Sequence, residues 1–186
     1  MSHGHHHKQE QDDRSTENIS IAFFLNLFFT LLEIVGGLWT NSLAILSDAV
    51  HDLGDSFSLG LAWFLDKYSK KDPDNTYSFG YSRFSLLGAL INTIILITGS
   101  ILVLSRAIPR LINPEPTNAK GMLIFAIIGI VVNGFAAYRL HGGNSINQEV
   151  VSWHMIEDLL GWVAVFVVSI ILMFKEIYIL DPILSI

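Results

Sequence analysis

Residues Ser42–Leu65, SLAILSDAVHDLGDSFSLGLAWFL, carry a conflict. A helix that crosses a bilayer needs about 20 apolar residues, and this stretch has the length and the apolar ends. Its middle, however, holds Asp48, His51, Asp52 and Asp55. An ionisable side chain at the centre of a spanning helix costs roughly 3 kcal/mol on insertion scales. Such groups persist where they face protein, water or a metal ion. Ser152–Phe174, SWHMIEDLLGWVAVFVVSIILMF, repeats the device with His154, Glu157 and Asp158. Both stretches contain His-x-x-x-Asp, and they read as two halves of one intramembrane metal site.

Helix geometry sharpens this reading. Residues i and i+4 lie about 40° apart around the axis and about 6 Å apart along it. His51 and Asp55 can therefore address one ion, and so can His154 and Asp158. Asp52, about 100° from His51, is a poorer candidate. Asp48 and Glu157 read as supporting or access-path groups. Two imidazoles and two carboxylates make a four-coordinate nitrogen and oxygen set of the kind zinc accepts. Cadmium or cobalt would also fit, whereas magnesium and calcium prefer oxygen ligands and higher coordination. The chain has no cysteine, which excludes thiolate-rich sites and disulfides. Imidazole and carboxylate must be unprotonated to ligate, so metal and protons compete for the same groups. That competition is a physical basis for exchanging one for the other.

Composition agrees with a polytopic membrane protein. Of 186 residues, 51% are hydrophobic and 15% charged, and the mean hydropathy is +0.48. The charges cluster between long apolar runs. A net charge of −6 with 11 Lys plus Arg gives nucleic acid no basic patch to bind. Residues 1–18 are polar, lack the apolar core of a signal peptide, and are expected to be a disordered cytoplasmic tail. His3, His5, His6 and His7 make it either a solvated leader or a loose metal-binding tract.

Residues 19–186 then divide into spans at about Ile19–Trp39, Ser42–Leu65, Phe84–Ser105, Gly121–Leu140 and Ser152–Phe174. IYILDPILSI begins a sixth and stops short of the length needed to cross. Trp39-Thr40-Asn41 allows only a tight turn. Asn26, Thr30, Glu33 and Gly37 share one helical face, with Glu33 read as a structural carboxyl. Ala126, Gly129, Asn133 and Ala137 form a second small, polar stripe, in which Asn133 is expected to hydrogen-bond across helices. Gly54, Ser58 and Ala62, with Ser56 and Gly60, allow close helix approach. Ser85, Gly88, Asn92 and Gly99 form a packing face. With the N-terminus inside, seven Lys and Arg fall on inner segments against four on outer ones, which favours that orientation.

The stretches SLAILSDAVHDLGD, YSFGYSRFSLLGALIN, SWHMIED and LDPILS, with the His-rich leader, resemble the cation diffusion facilitators, in particular the zinc, cadmium and cobalt efflux subgroup. The resemblance covers about residues 19–186. It implies an all-α membrane bundle with five complete transmembrane helices and a truncated sixth. By the same resemblance, the family's C-terminal cytoplasmic domain is expected to be absent from these 186 residues. It also implies a homodimer in a bacterial inner membrane that exports zinc, or cadmium or cobalt, in exchange for protons, with His51, Asp55, His154 and Asp158 as the transport site. Ser85 stands where many members carry Glu. Two rival readings differ in class. An intramembrane metalloenzyme needs an open coordination position and a separate base. Glu157 could be offered as that base, but there is no His-Glu-x-x-His, and four protein ligands would close the site. A metal sensor would bind without flux. The expectation is a transporter, not an enzyme.

Overall fold

In the computed structural model, residues 4–69, 84–141 and 146–186 are described. They form six helices: α1 (Gly4–Thr40), α2 (Leu43–Ser69), α3 (Phe84–Ile112), α4 (Ala119–Leu140), α5 (Ile146–Phe174) and the short α6 (Leu180–Leu184). Four carry windows long and apolar enough to cross a membrane: Phe23–Thr40, Thr93–Ile112, Ala119–Leu140 and Glu149–Phe174. Among the described residues α2 carries no such window.

α1 continues back to Gly4, through most of the leader expected to be disordered. A helix already nucleated by its apolar half extends at little cost through residues such as Gln9, Glu10 and Gln11. The leader histidine side chains, those of Ser58, Ala62, Ser85 and Asn92, and the surroundings of Gly60 and Gly88 lie outside the described residues.

The α1–α2 connection is tight, as its sequence requires. Asn41 has φ 56, the left-handed conformation that Asn tolerates better than most residues. The Ser42 amide donates to the Gly37 carbonyl at 3.0 Å, closing the end of α1 in a Schellman-type motif. At the other junction, Asn118 caps α4 by accepting from the Gly121 amide at 3.1 Å. α3 ends later than expected. It runs through Pro109 to Ile112, because a proline one turn from the end removes a single helical hydrogen bond.

Close packing joins α3 to α2, α2 to α1, α1 to α4 and α4 to α5. α2 and α5 are not among the closely packed pairs. Between the packed pairs small residues let backbones approach. A Cβ on Gly54 would lie 2.7 Å from Leu96 Cδ2, and one on Gly99 2.5 Å from Val50 Cγ1. Gly129 leaves room for the ring of Trp162, itself fully buried. Phe29, Ile45, Met122 and Trp162 centre the apolar core.

The polarity of the bundle runs opposite to that of a water-soluble one. Phe24, Phe28, Leu31, Val35 and Leu38 follow helical spacing along the outer face of α1 and are exposed. Asn26, Thr30, Glu33 and Gly37, the stripe read from the sequence, are buried. Ala126, Gly129, Asn133 and Ala137 are buried as well. Among the described residues the Asn133 amide does not reach across helices, though; it donates to the Gly129 carbonyl of its own helix at 3.2 Å. A buried amide takes the partner within reach, and here that is the carbonyl one turn back.

Candidate metal centre

The site forms where α2 and α5 face one another without close backbone packing. That separation leaves space for their side chains to meet. On α2, His51 Nε2 stands 3.6 Å from Asp55 Oδ2, one turn away. On α5, His154 Nε2 stands 3.7 Å from Asp158 Oδ2. Between the helices, His154 Nε2 lies 3.4 Å from the same Asp55 oxygen. The imidazoles of His51 and His154 are tilted at 50°, with centroids 6.1 Å apart. The two His-x-x-x-Asp pairs thus sit side by side, and Asp55 and His154 link them.

Exposure falls along this row. The side chains of His51, Asp55, His154 and Asp158 are 54%, 29%, 27% and 4% exposed, respectively. The four do not converge on one point. Ligand atoms of His51, Asp55 and His154 lie within 4.8 Å of one another. Asp158 belongs to a second trio, with Asp52 and His154, whose atoms meet the same limit. His154 is common to both.

Helical angle alone did not anticipate the surroundings of Asp52. Judged only by its angle from His51, it was the poorer candidate. The fold buries it completely, beside His154 and Asp158. A signal was there to find: Asp48, Asp52 and Asp55 follow i, i+4, i+7 spacing, a single stripe along α2. Asp48 and His51 line a cavity of about 340 Å³ between α2, α3 and α5. Glu157 is exposed. Glu33 is fully buried on α1, and among the described residues neither of its oxygens has a hydrogen-bond partner.

Another carboxylate was overlooked. Asp181, in α6, accepts from the Ser42 hydroxyl at 2.6 Å, the Leu43 amide at 2.8 Å and the Ala44 amide at 3.3 Å. It caps the N-terminus of α2 from 138 residues away in sequence. Nothing local in LDPILS indicates that partner. Beside it, Arg110 donates to the Asn41 carbonyl at 3.0 Å and side chain at 2.6 Å, and pairs with Glu115 at 2.6 Å. These contacts fasten the α1–α2 turn, and with it the register of α2 on which His51 and Asp55 stand.

Comparison with known proteins points the same way. Residues 19–186 match the model of the cation efflux transmembrane domain. The chain is 33% identical to a zinc transporter ZitB of Pectobacterium atrosepticum, over 100% of this chain and 58% of that protein. It is 36% identical to a cadmium, cobalt and zinc/H(+)-K(+) antiporter of Bacillus subtilis, over 98% of this chain and 59% of the relative. It is 34% identical to the metal cation efflux system protein CzcD of Cupriavidus metallidurans, over 94% and 55%. The chain therefore spans less than two thirds of the length of each.

Proposed function

The chain belongs to the cation efflux family, and from that premise we propose that it is the membrane portion of an exporter that moves a divalent metal ion, zinc first, out of the cell in exchange for protons. One observation carries the reading: His154 of α5 stands 3.4 Å from Asp55 of α2. That approach joins two His-x-x-x-Asp pairs, on helices that are otherwise apart, into a row of nitrogen and oxygen donors suited to zinc. Cadmium and cobalt, named for the relatives above, fit the same donors.

In this reading α2 is a fifth span, its 27 residues amounting to about 40 Å of helix. Its carboxylates turn inward, where they cost least. α6 opens a sixth span. The N-terminus is cytoplasmic, the membrane is the bacterial inner membrane, and the working unit is a homodimer. Metal arrives with His51, Asp55, His154 and Asp158 unprotonated. On the far side protons occupy the same donors and displace it. Small-residue contacts such as Gly54 against Leu96 and Gly99 against Val50 let α2 and α3 rock as one pair.

The test is zinc flux in liposomes holding this 186-residue chain, driven by a pH gradient and followed with a trapped dye. The Asp55→Ala/Asp158→Ala double variant serves as control. Flux in the chain and none in the variant supports the reading. Zinc uptake that the double variant leaves unchanged would sink it.

A further inference from the structure

Beyond the row of four, we propose that the transported ion has a second, deeper resting position, held by Asp52, His154 and Asp158. The inference rests on the reading above that the site takes a divalent cation. The outer position is the trio His51, Asp55 and His154 of that row. The two positions share His154, and Asp158 joins only at the deeper one, so that they serve one ion in turn.

Geometry is the first support. Ligand atoms of Asp52, His154 and Asp158 lie within 4.8 Å of one another. A tetrahedral ion with bonds near 2.1 Å holds its ligands roughly 3.4 Å apart, so small side-chain adjustments close the trio. The state of the carboxylates is the second. Asp52 is fully buried, and neither of its oxygens has a hydrogen-bond partner within 3.5 Å, although Asn26 of α1 faces it. Asp158 is 5% exposed and its Oδ2 also has none. Buried carboxylate oxygens are costly unless hydrogen-bonded, paired or bound to metal. Both groups stand beside His154, whose Nε2 lies 3.7 Å from Asp158 Oδ2.

Charge is the third. An ion held by His51, Asp55 and His154 meets two neutral imidazoles and one carboxylate, a complex of net charge +1. Held by Asp52, His154 and Asp158 it meets one imidazole and two carboxylates, and the complex is neutral. The penalty for burial falls on net charge, so the deeper position suits the neutral set and the more exposed position tolerates the charged one. Moving inward, the ion leaves His51, the most exposed of the donors, and Asp55, keeps His154, and gains Asp52 and Asp158.

Cadmium and single cysteines test this directly, since the chain has no cysteine of its own. A thiolate bound to cadmium gives a charge-transfer band in the ultraviolet that an unbound thiol lacks. Asp52→Cys, Asp55→Cys and, as an outward-facing control, Ile97→Cys would each be purified in detergent and titrated with cadmium alone. Bands in Asp52→Cys and Asp55→Cys, removed by a chelator and missing from Ile97→Cys, are expected. A band in Asp55→Cys but none in a folded Asp52→Cys overturns the deeper position and leaves the exporter reading standing. No band in either overturns both. The isosteric Asp52→Asn gives an independent measure by chelator competition. Zinc affinity at least tenfold weaker is expected, and affinity equal to that of the unsubstituted chain rejects Asp52 as a ligand.

Discussion

Two regions of α2 treat buried carboxylates in opposite ways. At the N-terminus, Asp181 arrives from α6 and its two oxygens accept three hydrogen bonds, from the Ser42 hydroxyl and from the amides of Leu43 and Ala44. About 14 Å further along the helix, Asp52 is just as buried, and among the described residues neither of its oxygens has a hydrogen-bond partner within 3.5 Å, although Asn26 of α1 faces it. Both carboxylates are withdrawn from the surroundings by the same bundle, and only one is satisfied by it. A fully hydrogen-bonded carboxylate has no capacity left for an ion and acts as a fastener. Unsatisfied oxygens beside an imidazole have that capacity. Within one helix, hydrogen-bond saturation therefore separates structural charge from charge available to a ligand.

Substitutions can break this contrast. The largest effect is expected at the unsaturated end. Asp55→Ala removes the oxygen that both histidines approach, and zinc affinity should fall by at least about a hundredfold, since even groups that merely support metal ligands cost 10–100-fold when lost. Chelator competition would measure it, and the thermal stability of the metal-free protein should hardly change. Asp181→Ala should do the reverse. It leaves a buried hydroxyl and two helix-terminal amides unpaired, a loss of about 3 kcal/mol. Unfolding in detergent should report it, with zinc binding kept in the protein that remains folded. If Asp181→Ala instead weakened zinc without lowering stability, the division of labour along α2 would be wrong.

Smaller effects test the frame that holds both ends in place. Gly129→Ala puts a methyl into the ring of Trp162, and overpacking of this kind costs about 2 kcal/mol. A neutral result in thermal unfolding would mean that α4 and α5 can separate freely. The smallest change is expected at Asn41, where two demands can be told apart. Asn41→Gly keeps the left-handed backbone but loses the side-chain contacts to Arg110 and Pro116. Asn41→Ala loses both. Ala should therefore be the less stable of the two by about 1 kcal/mol.

Much of this was legible in the residues. The inward stripe Asn26, Thr30, Glu33 and Gly37 and its counterpart on α4 followed from the 3.6-residue period alone, because period decides which side chains share a face. For the site, angular spacing works only within one helix. It paired His51 with Asp55 and His154 with Asp158, but it ranked Asp52 low, because angle from one histidine says nothing about what lies on the other side of the helix. α1 supplies that other side, and with α5 it turns the angle of Asp52 into burial next to His154. The partner of Asn133 was likewise misjudged, since a carbonyl within its own helix was nearer than any across the interface.

The sequence by itself determined that this is a helical membrane chain with inward-facing ionisable groups, and that two His-x-x-x-Asp pairs provide nitrogen and oxygen donors without thiolates. Those are consequences of local period, composition and side-chain chemistry. Only the tertiary structure decided that His154 reaches Asp55, that Asp158 groups with Asp52 and not with His51, and that Asp181 caps α2. Each of these joins residues far apart in the chain: local period shows that small residues such as Gly54, Gly99 and Gly129 lie on a helix face, but not which helix packs against that face.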